Sequence, residues 1–233
     1  MTTITRIKRL GVLALVVSIV ASCATVNKFD EYAVEGGDLA ANLRMPAEPE
    51  IESDYFVTID TDNPVGTVLS VGTTIAKASE VNRATDRMIE ALDTVDVPQI
   101  VFQQTFLGVA EALQSRMVDD RRSADYFLDL EIREYGITAG STGGQVALSM
   151  KVTARLYHQR SGELVWRRNI TREDRATPYM FGIGGSAGNA LTAALLSELS
   201  TEEMAEGFDR LANALAREIS REVEDDLYRA RYQ

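Results

Sequence analysis

The apolar positions of this chain change period several times, and each change marks an element. Tyr55 to Ile59 is a short β-rich run closed by Asp60-Thr61-Asp62. Asn63-Pro64 then reads as a helix N-cap followed by proline at the first helical position, where its missing N–H costs nothing. Ile75, Ala78, Val81, Thr85, Met88 and Leu92 recur at helical spacing, predicting a helix over 64–92 whose first turns Gly66 and Gly72 weaken. A second start at Asp96-Val97-Pro98 leads into Phe102, Phe106, Val109, Leu113 and Met117, one apolar face of a second helix.

The period then falls to two. Leu128, Leu130 and Ile132 alternate with Asp129, Glu131 and Arg133, as in a strand with one face buried and one solvated. After a turn at Gly140 to Gly144, Val146, Leu148, Met150, Val152, Ala154 and Leu156 repeat the pattern. Ser161-Gly162 makes a second turn, and Leu164, Trp166 and Ile170 share one side of a third strand. A glycine-rich loop precedes a helical stretch over 189–199. Ser200-Thr201-Glu202-Glu203 is then a capping box for a long amphipathic helix carrying Phe208, Leu211, Leu215, Ile219, Val223 and Leu227. The expected fold class is therefore α+β: a small antiparallel sheet, one N-terminal strand plus a three-stranded meander, with long helices packed on one face.

The first 53 residues follow different rules. Arg6, Lys8 and Arg9 form a positive region, and an apolar run from Leu10 to Val20 follows it. That run suits the h-region of a secretory signal peptide and falls short of the ~20 residues needed to span a bilayer. Val20-Ala21-Ser22-Cys23 resembles the lipobox of bacterial lipoprotein precursors, an aliphatic residue, two small residues and then cysteine. A thiolate is the nucleophile that accepts a lipid, and Cys23 is the one cysteine in the chain, so intrachain disulfides and a cysteine-based zinc site are excluded. The resemblance implies cleavage after residue 22, a covalent lipid at Cys23 and attachment to the membrane. Ala24, at the position that sorts such lipoproteins, favours the outer membrane facing the periplasm over the inner membrane. Residues 23–53, with Gly36-Gly37, Pro46, Pro49 and scattered acids, read as a tether with a single helical turn over 38–43. If flexible, it would reach roughly 30 Å. Residues 54–233 then form a single periplasmic domain.

Composition narrows the partners. The precursor carries 24 basic and 35 acidic residues, a net charge of −11; removing the three leader cations leaves 21 basic residues and a net charge of −14. A chain this acidic, with no basic cluster in its mature part, is a poor nucleic-acid binder.

Ala124-Asp125-Tyr126-Phe127-Leu128 opening the meander, and Ser161-Gly162-Glu163-Leu164-Val165-Trp166 turning into its last strand, make the domain similar to a group of small envelope lipoproteins. It resembles the auxiliary lipoproteins of ABC-type transport systems and the lipopolysaccharide-assembly lipoprotein, and more distantly the lipoprotein activators of peptidoglycan synthases. The resemblance implies a non-enzymatic domain that binds another envelope component, protein or lipid. It brings no catalytic residues and no cofactor beyond the lipid on Cys23.

Candidate chemistry is otherwise sparse. A periplasmic hydrolase would have to be built around His158, the sole histidine, expected as a solvated residue at a strand end, and no Gly-x-Ser-x-Gly elbow accompanies it. Asp119-Asp120 and Glu224-Asp225-Asp226 lack the alternating ligands of a calcium loop and read as solvated helix ends. Gly182 to Ala187 matches a dinucleotide fingerprint only formally, since no parallel strand leads into it. The remaining candidate is a contact loop over 177–188, where Tyr179, Met180, Phe181 and Ile183 sit among Pro178 and four glycines.

Overall fold

A computed structural model describes residues 25–45, 56–58, 68–69, 75–139, 146–175 and 199–232. The strands are β1 (Val26–Asn27), β2 (Asp38–Arg44), β3 (Phe56–Thr58), β4 (Val68–Leu69), β5 (Arg116–Met117), β6 (Tyr126–Ala139), β7 (Val146–His158) and β8 (Glu163–Arg175). The helices are α1 (Ile75–Thr94), α2 (Val97–Ala112) and α3 (Thr201–Tyr232). The sheet runs β1-β8-β7-β6-β2-β5, with β3 paired to the far half of β6 and β4 paired to β3. The class is α+β as expected, with the three helices on one face. The sheet is larger than the expected meander and is mixed, because β2 lies parallel to both β5 and β6.

That enlargement corrects the reading of the N-terminal segment. Asp38 to Leu43, expected as a helical turn within a tether, is strand β2, and its Leu39 and Ala40 are buried. Val26 and Asn27 pair with Arg167 and Trp166 at the opposite edge of the sheet. The folded domain thus begins by residue 26 rather than at 54, leaving Cys23 three residues from the first strand. The apolar content of β2 is too slight to signal a strand alone; its pairing with β6 supplies the hydrogen bonds.

The meander has the expected alternation, modified by two bulges. Between Ile132 and Glu134 the β6 register shifts, so the buried side passes from Leu128, Leu130 and Ile132 to Tyr135 and Ile137. A second shift beside Leu156 and Tyr157 lets Val165 and Trp166, adjacent in sequence, both become fully buried. Gly162 closes the β7–β8 turn at φ +70°, where a side chain would be strained.

Helices α2 and α3 begin as expected, whereas α1, expected from residue 64, begins at Ile75. Asp96 Oδ1 accepts from Gln99 N at 3.0 Å, and Pro98 follows within the first turn. Helix α2 stops at Ala112 because Gln114 adopts φ 51°, with Ser115 N donating to Ala110 O at 2.8 Å and Gln114 N to Glu111 O at 3.0 Å. This is a Schellman-type end with glutamine in the usual glycine position. Met117, expected on the helix face, is therefore an exposed strand residue. Val68 and Leu69, expected inside the first helix, form β4. The capping box at Ser200 is present: Ser200 N donates to Glu203 Oε2 at 2.9 Å and Glu203 N to Ser200 Oγ at 3.2 Å. From there α3 crosses the sheet, burying Phe208, Leu211, Leu215, Ile219 and Val223.

Candidate functional site

The sheet face away from the helices carries a charged ladder. Arg44, on β2, grips Asp129 in a bidentate pair, Nε to Oδ1 at 2.7 Å and NH2 to Oδ2 at 2.5 Å. Arg155 on β7 reaches the same carboxylate at 3.3 Å and Glu131 at 2.6 Å. Arg133 donates to Thr153 Oγ1 at 3.1 Å, and Thr153 donates to Asn169 Oδ1 at 2.9 Å, so polar contacts run from β2 to β8. The alternation predicts a solvated Asp129, yet it is only 5% exposed. Burial disfavours its ionised form, but the hydrogen bonds and charges of Arg44 and Arg155 outweigh that and hold its carboxyl below the usual carboxylate range. Arg44 was the missing signal, because it lies in the segment read as tether.

His158 stands at the corner where β6 starts and β7 ends. It is half-buried rather than solvated, with ring centroids 5.3 Å from Tyr32 and 5.5 Å from Tyr126, and its Nδ1 lies 2.9 Å from Ser161 Oγ. Glu163 completes the cluster by accepting from Tyr32 at 2.5 Å and pairing with Lys28, which together hold its carboxyl below the usual range. A serine–histidine–acid relay places the serine on one imidazole nitrogen and the acid on the other. Here serine takes the Nδ1 side and the acid is engaged by lysine and tyrosine. The residue types of a hydrolase meet, but in an order that ties the Lys28–Tyr32 segment to the sheet.

Asp226 corrects the reading of Glu224-Asp225-Asp226 as a solvated helix end. It is 1% exposed, accepts from Trp166 Nε1 at 2.8 Å, and pairs with Arg168 and, at 3.0 Å, with Arg229. Its backbone carbonyl accepts from Asn27 Nδ2 at 3.2 Å, fastening β1 to the C-terminal part of α3. Glu35 pairs with Arg231 on the same part of the helix. Among the described residues no group of three or more histidine, cysteine or acidic side chains could hold a metal ion, and no helix is long and apolar enough to cross a membrane.

Cys23 and the candidate contact residues Tyr179, Met180, Phe181 and Ile183 lie outside the described residues, as does the 182–187 glycine segment.

No protein-family model matches the sequence, and no curated protein matches it. Partial likeness in structure is found. Protein XCC0632 from Xanthomonas campestris is 13% identical over 89% of this chain and 91% of its own, with a TM-score of 0.43. A candidate lipoprotein from Caulobacter crescentus CB15 is 19% identical over 55% of this chain and 83% of its own, at 0.32. Lipoprotein GNA1162 from Neisseria meningitidis is 13% identical over 45% of this chain and 87% of its own, at 0.29.

Proposed function

We propose that this chain is a lipid-anchored, non-catalytic envelope lipoprotein, held on the outer membrane facing the periplasm, that serves as an accessory or adaptor in envelope transport or assembly. The observation that carries this reading is Val20-Ala21-Ser22-Cys23 placed directly after a basic and then apolar leader. Two or three acyl chains on Cys23, at ~0.8 kcal/mol per buried methylene, would hold the domain on the membrane. The His158 corner also favours a binding role, since its serine and acid are not arranged as a relay.

Labelling cells with a fatty-acid analogue tests the anchor: the wild type incorporates it and Cys23→Ala does not. Equal labelling of both would overturn the anchor. Crosslinking and affinity capture of the anchored protein tests the role. Components of an envelope transport or assembly system among the crosslinked partners support the adaptor reading, whereas a cell-wall synthase points to regulation of peptidoglycan synthesis. Turnover abolished by His158→Ala would make the protein a hydrolase.

A further inference from the structure

The solvent face of α3 is unlike the rest of this acidic protein. Arg210, Arg217, Arg221, Tyr228 and Tyr232 follow one another at intervals of seven, four, seven and four residues, which sets them on one stripe opposite the buried face. All five are exposed. Tyr228 and Tyr232 are 62% and 72% exposed and contact each other with ring centroids 4.6 Å apart. Arg210 pairs with Asp174, but Arg217 and Arg221 make no ion pair among the described residues. The stripe borders a cleft of about 690 Å³ against α2, lined by half-exposed Leu107, by Arg217, Arg221 and Tyr228, and by the acids Glu111 and Glu224. Glu224 and Asp225 flank the stripe without interrupting it.

The same part of α3 is where the chain arrives from its N-terminus. Val26 pairs with Arg167, the neighbouring Arg168 is ion-paired to Glu222 and Asp226 of α3, and Asn27 bonds to the Asp226 carbonyl. From Cys23 to Val26 is three residues, which cover about 10 Å when fully extended. A lipid on Cys23 therefore brings the bilayer to within about 10 Å of the sheet edge that abuts the C-terminal half of α3.

We infer that the C-terminal half of α3 rests on the membrane that holds the anchor, with Tyr228 and Tyr232 at headgroup level and Arg217 and Arg221 against anionic phospholipid headgroups. This inference rests on the lipid-anchor reading. Charge decides the orientation: a mature chain of net charge −14 is repelled as a whole by an anionic surface, so the part of the stripe that carries Arg217 and Arg221, which make no ion pair among the described residues, is the face that can approach. Tyrosine supplies an apolar ring with a polar tip, the chemistry of a membrane–water interface. The adaptor's partner-binding surfaces are then those facing away, including the charged sheet face.

The test supplies the anchor chemically. Purified mature chain, residues 23–233, is coupled through Cys23, its one cysteine, to a maleimide-bearing lipid in phosphatidylcholine vesicles containing phosphatidylglycerol. A photoreactive benzophenone amino acid is placed at position 228, 232 or, as a control at the opposite sheet edge, 122. Irradiation should give at least about tenfold more phospholipid adduct from 228 and 232 than from 122. Arg217→Gln with Arg221→Gln, or omission of phosphatidylglycerol, should lower that yield several-fold at an unchanged melting temperature. Equal yields at the three positions, or adducts from 228 and 232 to a second protein copy and not to lipid, would overturn the inference. Because coupling is chemical, failed fatty-acid labelling in cells would count against the anchor alone, and failed crosslinking on vesicles against the docking alone.

Discussion

The indole N–H of Trp166 donates to the Asp226 carboxylate at 2.8 Å across sixty positions of sequence, with both side chains almost wholly out of solvent. Phe29 stacks parallel to the same indole at 6.4 Å, so strand β8, helix α3 and the segment after β1 meet at one point. Asp226→Ala should cost about 3–5 kcal/mol, since it strands the indole N–H and leaves the Arg168 guanidinium with Glu222 alone. Trp166→Phe, which keeps most of the ring volume but removes the donor, should cost about 1–3 kcal/mol, and Trp166→Ala about 3–5 kcal/mol. Denaturant titration measures all three. A loss below about 1 kcal/mol for Asp226→Ala would mean that the contact contributes little.

Helices α2 and α3 cross closely at Gly108, where an added Cβ would fall onto the Ser220 side chain. Gly108→Ala should destabilise by about 1–3 kcal/mol despite its better helix propensity, as overpacking does. Adding Ser220→Ala removes the hydroxyl but not the Cβ, so it should recover only part of that loss. Full additivity of the two substitutions in thermal melts would show that the residues do not meet.

Acid should weaken the charged sheet face. Because Arg44 and Arg155 hold the Asp129 carboxyl below its ordinary range despite its burial, the folded chain binds fewer protons there than the unfolded chain. The stabilisation is fully present above the unfolded value of about 3.9 and is lost as pH falls through the folded value. Asp129→Asn should lower the melting temperature at pH 7 and narrow the gap to wild type below about pH 4. A gap that stays constant from pH 7 to acid would remove Asp129 from the pH dependence.

The candidate contact loop gives a separate expectation. Serine at Tyr179, Phe181 and Ile183 together should leave the melting temperature unchanged while abolishing partner crosslinks. A large fall in melting temperature would instead assign these side chains to the core.

The meander and the long last helix were legible because each is written in local periodicity over ten or more residues, and the capping box at Ser200 because it is written in four consecutive residues. The register bulges were not, since moving the buried side from Ile132 to Tyr135 depends on how β6 meets β7. Nor was the burial of Asp129, because its partner Arg44 lies 85 positions away in a segment whose own pattern suggests a tether. His158 stands out in the sequence as the sole histidine, but its place between Tyr32 and Tyr126 follows from β1 and β2 joining the sheet.

By itself the sequence determined the α+β class and the amphipathic faces of α2 and α3, because these depend on neighbours within a few turns or strand repeats. Tertiary structure decided that the segment behind Cys23 is part of the domain. Strands β1 and β2 are too short and too polar to bury a face alone; they exist because β8 and β6 present open edges whose backbone groups need partners.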